Sequence, residues 1–274
     1  MNDAGAAAHA GDAHESHDGQ DASRAPGHLP REATPPELRA RDDASVVRDV
    51  GVVIVAAGSG ARIGGPELKQ FRWVAGKPML LHSLQTFQRR ADVAMVVCVL
   101  PKAFAGDPPP WIFQSDLDRL LISVGGRERG DSVWNGIEDL PEEVEIIVVH
   151  DAARPLASAA MIERVIAEAR RGHGAIAALP VVDTLKEVDE DGNIVRTIDR
   201  TRLWRAQTPQ AFPRDVLERA YVEARRRHLL ATDDAALCEM LGIPVVIVRG
   251  SERAMKITNE ADFTRAESLL LLDD

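Results

Sequence analysis

Short, largely apolar runs punctuate the chain, and most are followed by a turn and then by apolar residues at helical spacing. Residues 52–55, 94–100, 121–124, 146–149 and 174–179 do not alternate with polar residues. That is the pattern of strands buried on both faces of a parallel sheet. Between them Met79, Leu80, Leu84 and Phe87 recur at helical spacing up to Arg90, and Val133, Ile137 and Leu140 do the same behind a cap at Asp131 or Gly130. Residues 158–171 present Ile162, Val165, Ile166 and Ala169 on one face. Further helices are predicted at 213–227 and 232–241, strands at 245–248 and near 255–257, and a last helix capped at Asn259. Strand and helix in alternation predict an α/β fold with a mostly parallel sheet flanked by crossover helices. In the proline-rich loop after the second strand, Trp111 and Phe113 are expected to cover the sheet edge.

The pattern changes at residues 181–204. Two β-like runs, 184–188 and 194–198, are joined by D-E-D-G-N, which reads as a hairpin. A hairpin inserted into a βαβ chain has no helix to cover it, so its apolar faces need a partner, most simply a second copy of the chain.

Chemistry concentrates where the predicted strands end. The first strand breaks into Ala56, Ala57, Gly58 and Gly60, small residues that let a ligand lie against the backbone, with Arg62 and Lys69 following. Such a turn with two cations suits a polyphosphate whose charge is held while a bond at phosphorus changes. It is neither a Walker A loop, since Lys69 lies between Leu68 and Gln70, nor a dinucleotide fingerprint, since Ile63 occupies the sixth place. Taken alone, the loop fits an ordinary glycine turn with solvated cations equally well. A second strand-to-helix turn, G-G-R-E-R-G-D-S-V from Gly125 to Val133, can lie beside the first, with Gly126 in the turn and Ser132 on the first helical turn or simply capping it. The fourth strand runs into His150-Asp151-Ala152-Ala153-Arg154-Pro155, acid and base emerging together at a strand end. Lys256 sits between apolar neighbours, able to point along a cleft or to stand on a surface strand.

Composition narrows the partners. Residues 1–46 are read as a disordered acidic tail and 47–274 as the folded domain, because the tail has almost no large apolar side chains. Residues 1–49 hold ten acids against five arginines, so half of the formal net charge of −10 lies there. An acidic chain argues against a nucleic-acid-coating surface. No apolar run approaches a membrane span. Cys98 and Cys238 lack metal-ligand spacing and read as reduced thiols of a cytoplasmic protein.

The segments A-A-G-S-G-A-R with a downstream K-Q, G-G-R-E-R-G-D-S-V, H-D-A-A-R-P, V-V-D-T-L-K, D-R-T-R-L-W, T-P-Q-A-F and M-K-I-T stand in this order over roughly residues 50–272. The set closely resembles the 2-C-methyl-D-erythritol 4-phosphate cytidylyltransferases. The resemblance implies a Rossmann-like fold, a homodimer formed through the protruding arm, and CTP with Mg²⁺ as cofactor. The implied reaction is attack by a phosphate oxygen of 2-C-methyl-D-erythritol 4-phosphate on the α-phosphorus of CTP, joining CMP to it and releasing pyrophosphate. Carried onto matching positions, Arg62 and Lys69 would stabilise the phosphoryl charge, and Ala56, Ala57, Gly58, Gly126 and Ser132 would hold the nucleotide. Asp151 and Arg154 would line the substrate site, Arg200 and Lys256 would fix the sugar phosphate, and Thr184 would approach from the partner's arm. No metal ligands are assigned. Arg127 departs from the pattern, standing where some members carry an acid. The alternatives are a ribitol 5-phosphate cytidylyltransferase, over which the doubled alanine of H-D-A-A-R-P favours the methylerythritol enzyme without closing the choice of acceptor, and a CTP-binding module without catalysis.

Overall fold

The structure is a computed structural model that describes residues 46–58 and 68–270. Arg62, Gly60 and most of the tail lie outside the described residues. Strand β1 (Val50–Val55) starts two residues before the apolar run that signals it. A small hairpin, β2 (Trp73–Val74) and β3 (Lys77–Pro78), leads into α1 (Met79–Gln88), and β4 (Val93–Leu100) follows. After a short helix α2 (Lys102–Ala105) come β5 (Leu120–Val124), α3 (Arg129–Glu138) and β6 (Ile146–Asp151). Helix α4 (Ala159–Arg170), capped by Ser158, leads to β7 (Gly174–Pro180). The hairpin β8 (Leu185–Val188) and β9 (Ile194–Ile198) precedes β10 (Trp204–Pro213), α5 (Arg214–Arg227), α6 (Asp234–Met240), β11 (Val245–Arg249) and α7 (Glu260–Leu270).

Seven strands form one sheet in the order β11-β7-β10-β6-β1-β4-β5, parallel except for β10, which runs antiparallel to both neighbours. Successive β1 side chains point to opposite faces, so Val52 and Ile54 enter one apolar core with α1 and α4, and Val53 enters the other with α3, α5 and α6. The sheet is thus covered on both sides, as its unbroken apolar strands require. A third cluster, with Val74, Leu156, Ile257 and Phe263, seats α7.

Three expectations need correction. Strand β10 was not anticipated: its burial is lopsided, and its register shifts between Ala206 and Gln210, where the Thr208–Pro209 bond is cis, so neither sheet periodicity nor a continuous apolar run marks it. The stretch 255–257 is no strand. A single 3₁₀ turn, Glu252–Ala254, is followed by extended chain whose Ile257 amide donates to Ala153 O at 2.8 Å. Of the two aromatic residues expected at the sheet edge, Trp111 packs edge-on to Phe71, while Phe113 is exposed.

The hairpin is as the sequence suggested. Asp189 accepts the amides of Asp191 and Asn193, and Gly192 takes a positive φ of 84° that glycine adopts without strain. Val188, Ile194 and Val195 are all more than half exposed on this arm.

Candidate active site

The chain leaves β1 for β4 on one side and later returns to β6 on the other, with Val55 opposite Asp151 at the carboxyl ends. Open α/β sheets bind ligands at such a reversal. Backbone bonds pin three exits there: Ala56 N to Val99 O (2.9 Å), Gly125 N to Leu100 O (2.7 Å) and Ala152 N to Val55 O (3.1 Å). The two glycine turns touch, since a methyl group at Gly125 would stand 2.3 Å from the Ala57 Cβ. Between them opens a cleft of about 570 Å³ whose wall includes Ala56, Ala57, Gly58, Gly126 and Ser132.

Each turn is held from beneath. Gln70, buried, donates to Ala56 O (2.6 Å) and Gly58 O (3.1 Å), a role its place in the K-Q pair did not suggest. In the second turn Gly126 N donates to Ser132 Oγ (3.1 Å), which donates onward to Glu128 O (3.2 Å). The helix cap is Glu128, not Asp131 or Gly130. Its side chain accepts the Asp131 amide while Asp131 accepts the Glu128 amide, a reciprocal pair that satisfies two orphan donors of α3.

The charged wall is built from three elements. Lys256 Nζ lies 2.7 Å from Asp151 Oδ2, and Arg129 Nε lies 3.4 Å from Asp151 Oδ1. Burial opposes ionisation of Asp151, but Arg129 and Lys256 outweigh it and hold the carboxyl well below the usual carboxylate range. Lys69 Nζ donates to Ile257 O at 2.8 Å, so both lysines meet at the 256–257 segment. Arg154 does not line the cleft. Its guanidinium donates to Ala254 O (2.8 Å) and Ala206 O (3.3 Å) and so braces the segment that carries Lys256.

His150 lies fully buried beneath Asp151. The Asp151 amide donates to Thr208 Oγ1 (3.0 Å), leaving the Thr208 hydroxyl to donate to His150 Nδ1 (3.2 Å) and His150 Nε2–H to donate to Arg154 O (3.1 Å). This assigns the neutral tautomer with its proton on Nε2. Burial pushes the imidazole down to about 4.

Among the described residues the cleft wall carries four cations, Lys69, Arg127, Arg129 and Lys256, against two carboxylates, Glu128 and Asp151. A net positive cleft in a chain of charge −10 selects anionic ligands. Of the sequence-predicted residues, Lys69, Asp151, Lys256 and the five nucleotide-loop positions converge here. Arg200 and Thr184 do not line this cleft; both are exposed on the arm, where Arg200 donates to Val182 O. Arg62 falls outside the described residues. Sequence reasoning missed Arg129 as a partner of Asp151, although the residue stands inside the motif quoted for the loop.

An open sheet with paired glycine turns and lysines at its reversal point defines a nucleotide-binding α/β enzyme. Residues 50–271 match the family model described as IspD: 2-C-methyl-D-erythritol 4-phosphate cytidylyltransferase. A 2-C-methyl-D-erythritol 4-phosphate cytidylyltransferase of Syntrophus aciditrophicus is 42% identical over 81% of this chain and 95% of its own length. The crystal structure of the Thermus thermophilus enzyme of the same name superposes with a TM-score of 0.69 at 35% identity, covering 81% of this chain and 98% of that one. A bifunctional IspD/IspF of Desulfotalea psychrophila is 39% identical over 82% of this chain, which spans 57% of that longer protein. The chain therefore belongs to the 2-C-methyl-D-erythritol 4-phosphate cytidylyltransferase family, and it is a nucleotidyltransferase.

Proposed function

We propose that the chain transfers CMP from CTP to 2-C-methyl-D-erythritol 4-phosphate, giving 4-diphosphocytidyl-2-C-methyl-D-erythritol and pyrophosphate. The observation that carries this is the convergence of Lys69 and Lys256 on one segment beside two touching glycine turns. A lone pair on an acceptor phosphate oxygen forms a bond to the α-phosphorus. The bond from that phosphorus to the β-phosphate oxygen breaks, and its electron pair leaves with pyrophosphate. The nucleophile is already anionic, so no proton has to be removed, and the work left to the protein is alignment and charge stabilisation.

In this reading Ala56, Ala57, Gly58, Gly126 and Ser132 hold cytidine, and Lys69 with Arg62 stabilises charge on the phosphoryl oxygens. Lys256 and Asp151 position the acceptor, with Arg154 acting through the backbone it braces. Arg200 and Thr184 reach a cleft from the arm of a second copy, so the working form is a homodimer. The exposed apolar residues of the arm support this. The described residues do not form a cage for Mg²⁺: both Asp151 oxygens face cations, Glu128 caps a helix, and no group of three His, Cys, Asp or Glu comes together. Mg²⁺ is therefore assigned to the triphosphate, where its usual partners are phosphate oxygens and water, and it supplies charge neutralisation when bound. The setting is the cytoplasm, where CTP is available, away from membrane and nucleic acid. No helix among the described residues is long and apolar enough to cross a membrane.

Pyrophosphate release from CTP and Mg²⁺, with methylerythritol phosphate and ribitol 5-phosphate as parallel acceptors, tests the assignment. Turnover with the first is expected, and turnover with only the second overturns it.

A further inference from the structure

Behind the cleft wall a chain of buried polar contacts continues from the site into the helical layer. Arg129, on the first turn of α3, uses Nε toward Asp151 at 3.4 Å and Nη2 toward Asp234 Oδ2 at 2.9 Å. The other oxygen of Asp234 accepts the Tyr221 hydroxyl at 2.6 Å. We propose that Asp234 and Tyr221 are positioning residues for the transfer reaction, acting through Arg129 to aim Asp151 and, with it, Lys256.

Three observations carry this, which rests on the cytidylyl-transfer reading. First, Asp234 is completely buried. Ion pairs so placed cost several kcal/mol in desolvation, and apolar packing would join α3 to α6 at least as well, so stability alone is a poor reason for the pair. Second, the tighter contact of Arg129 is the one pointing away from the site. A guanidinium is a rigid plane, so anchoring its Nη2 on Asp234 fixes where Nε meets Asp151. Third, the anchor is itself immobilised. Gln210 of β10 donates to Asp233 Oδ2 (2.8 Å) and accepts the Ala235 amide (3.1 Å), clamping the start of α6 on either side of Asp234. The Tyr221 phenol, raised well above its ordinary range by burial and by Asp234, stays a neutral donor. The result is a continuous path from α5 and α6 through α3 to the end of β6.

Wild type, Tyr221→Phe, Asp234→Asn, Arg129→Gln, and Asp234→Asn combined with Arg129→Gln decide the matter. Each is assayed for pyrophosphate release with CTP, Mg²⁺ and methylerythritol phosphate, and each is melted. The expected loss in kcat/KM for the acceptor is about tenfold or more for Asp234→Asn, because displacing a positioning group by an ångström costs up to about 10²-fold. Tyr221→Phe keeps the ring and so the fold, and loses severalfold with its melting temperature within a few degrees of wild type. Because Asp234 acts through Arg129, the double variant should be no slower than Arg129→Gln to within about twofold, the non-additivity expected of coupled neighbours. Wild-type kcat/KM in the folded Tyr221→Phe and Asp234→Asn proteins, or single losses that simply multiply in the double, overturns the inference. Should Asp234→Asn not fold, Tyr221→Phe decides alone. Failure of the underlying reading looks different, since wild type would then release no pyrophosphate.

Discussion

In the proposed transfer, Lys69 is the residue on which the chemistry turns. Its ammonium sits at the cleft beside Ile257 O, and Lys69→Ala should lower turnover on the order of 10²-fold or more, as loss of one preorganised oxyanion donor does. Steady-state pyrophosphate release measures this, and an unchanged rate removes Lys69 from the mechanism. His150 supports the site in another way. Folding lowers its pKa from 6.5 to about 4, so between those values the unfolded chain binds a proton that the folded chain refuses. Stability therefore falls as pH drops through that window, by on the order of 3 kcal/mol, and the contribution levels off below it. Asp151 acts lower, because its depressed pKa adds stability that is lost only as pH falls below the ordinary carboxylate range. Denaturant unfolding at neutral pH and near pH 5 should show a smaller pH dependence for His150→Gln than for wild type. Equal slopes would contradict the buried neutral imidazole. Lys69, Ser132, Asp151 and Lys256 were legible because each stands in a short string whose chemistry makes sense locally. The Arg129–Asp234 pair was not, since its members are 105 positions apart and only the tertiary fold brings them together.

Among elements, the parallel strands were readable because burial on both faces forces uninterrupted apolar sequence, and α4 because Ser158 caps a clean inward stripe. Strand β10 was not. Gln207, Thr208 and Gln210 are buried in it through side-chain bonds, and their polarity disguises the strand. The 256–257 segment misled in the opposite sense, since apolar neighbours around Lys256 suggested a ladder where a bond to Ala153 and the Arg154 brace suffice. The β8–β9 arm was legible from its turn, and its exposed Ile194 and Val195 ask for a partner. Replacing both by aspartate should leave the fold intact, convert a dimer to a monomer by light scattering, and lower turnover about tenfold or more by removing Arg200 and Thr184 from the partner's cleft. A wild type that is monomeric at full activity would contradict the role given to the arm.

On the scale of the whole molecule, a single topological reversal organises the protein. It places the ends of β1 and β6 side by side, sets the second glycine turn against the first, and gathers positive charge where the rest of the chain is acidic. In the proposed transfer, that arrangement aligns two anions and asks nothing of a general base. Phosphorus NMR of the reaction of CTP with methylerythritol phosphate carrying heavy oxygen in its phosphate group tests this most directly. Direct attack of the acceptor phosphate on the α-phosphorus predicts a pair of coupled diphosphate resonances with every labelled oxygen retained in the new product and unlabelled pyrophosphate released. Label in pyrophosphate or in CMP, or consumption of CTP without the coupled pair, would contradict it.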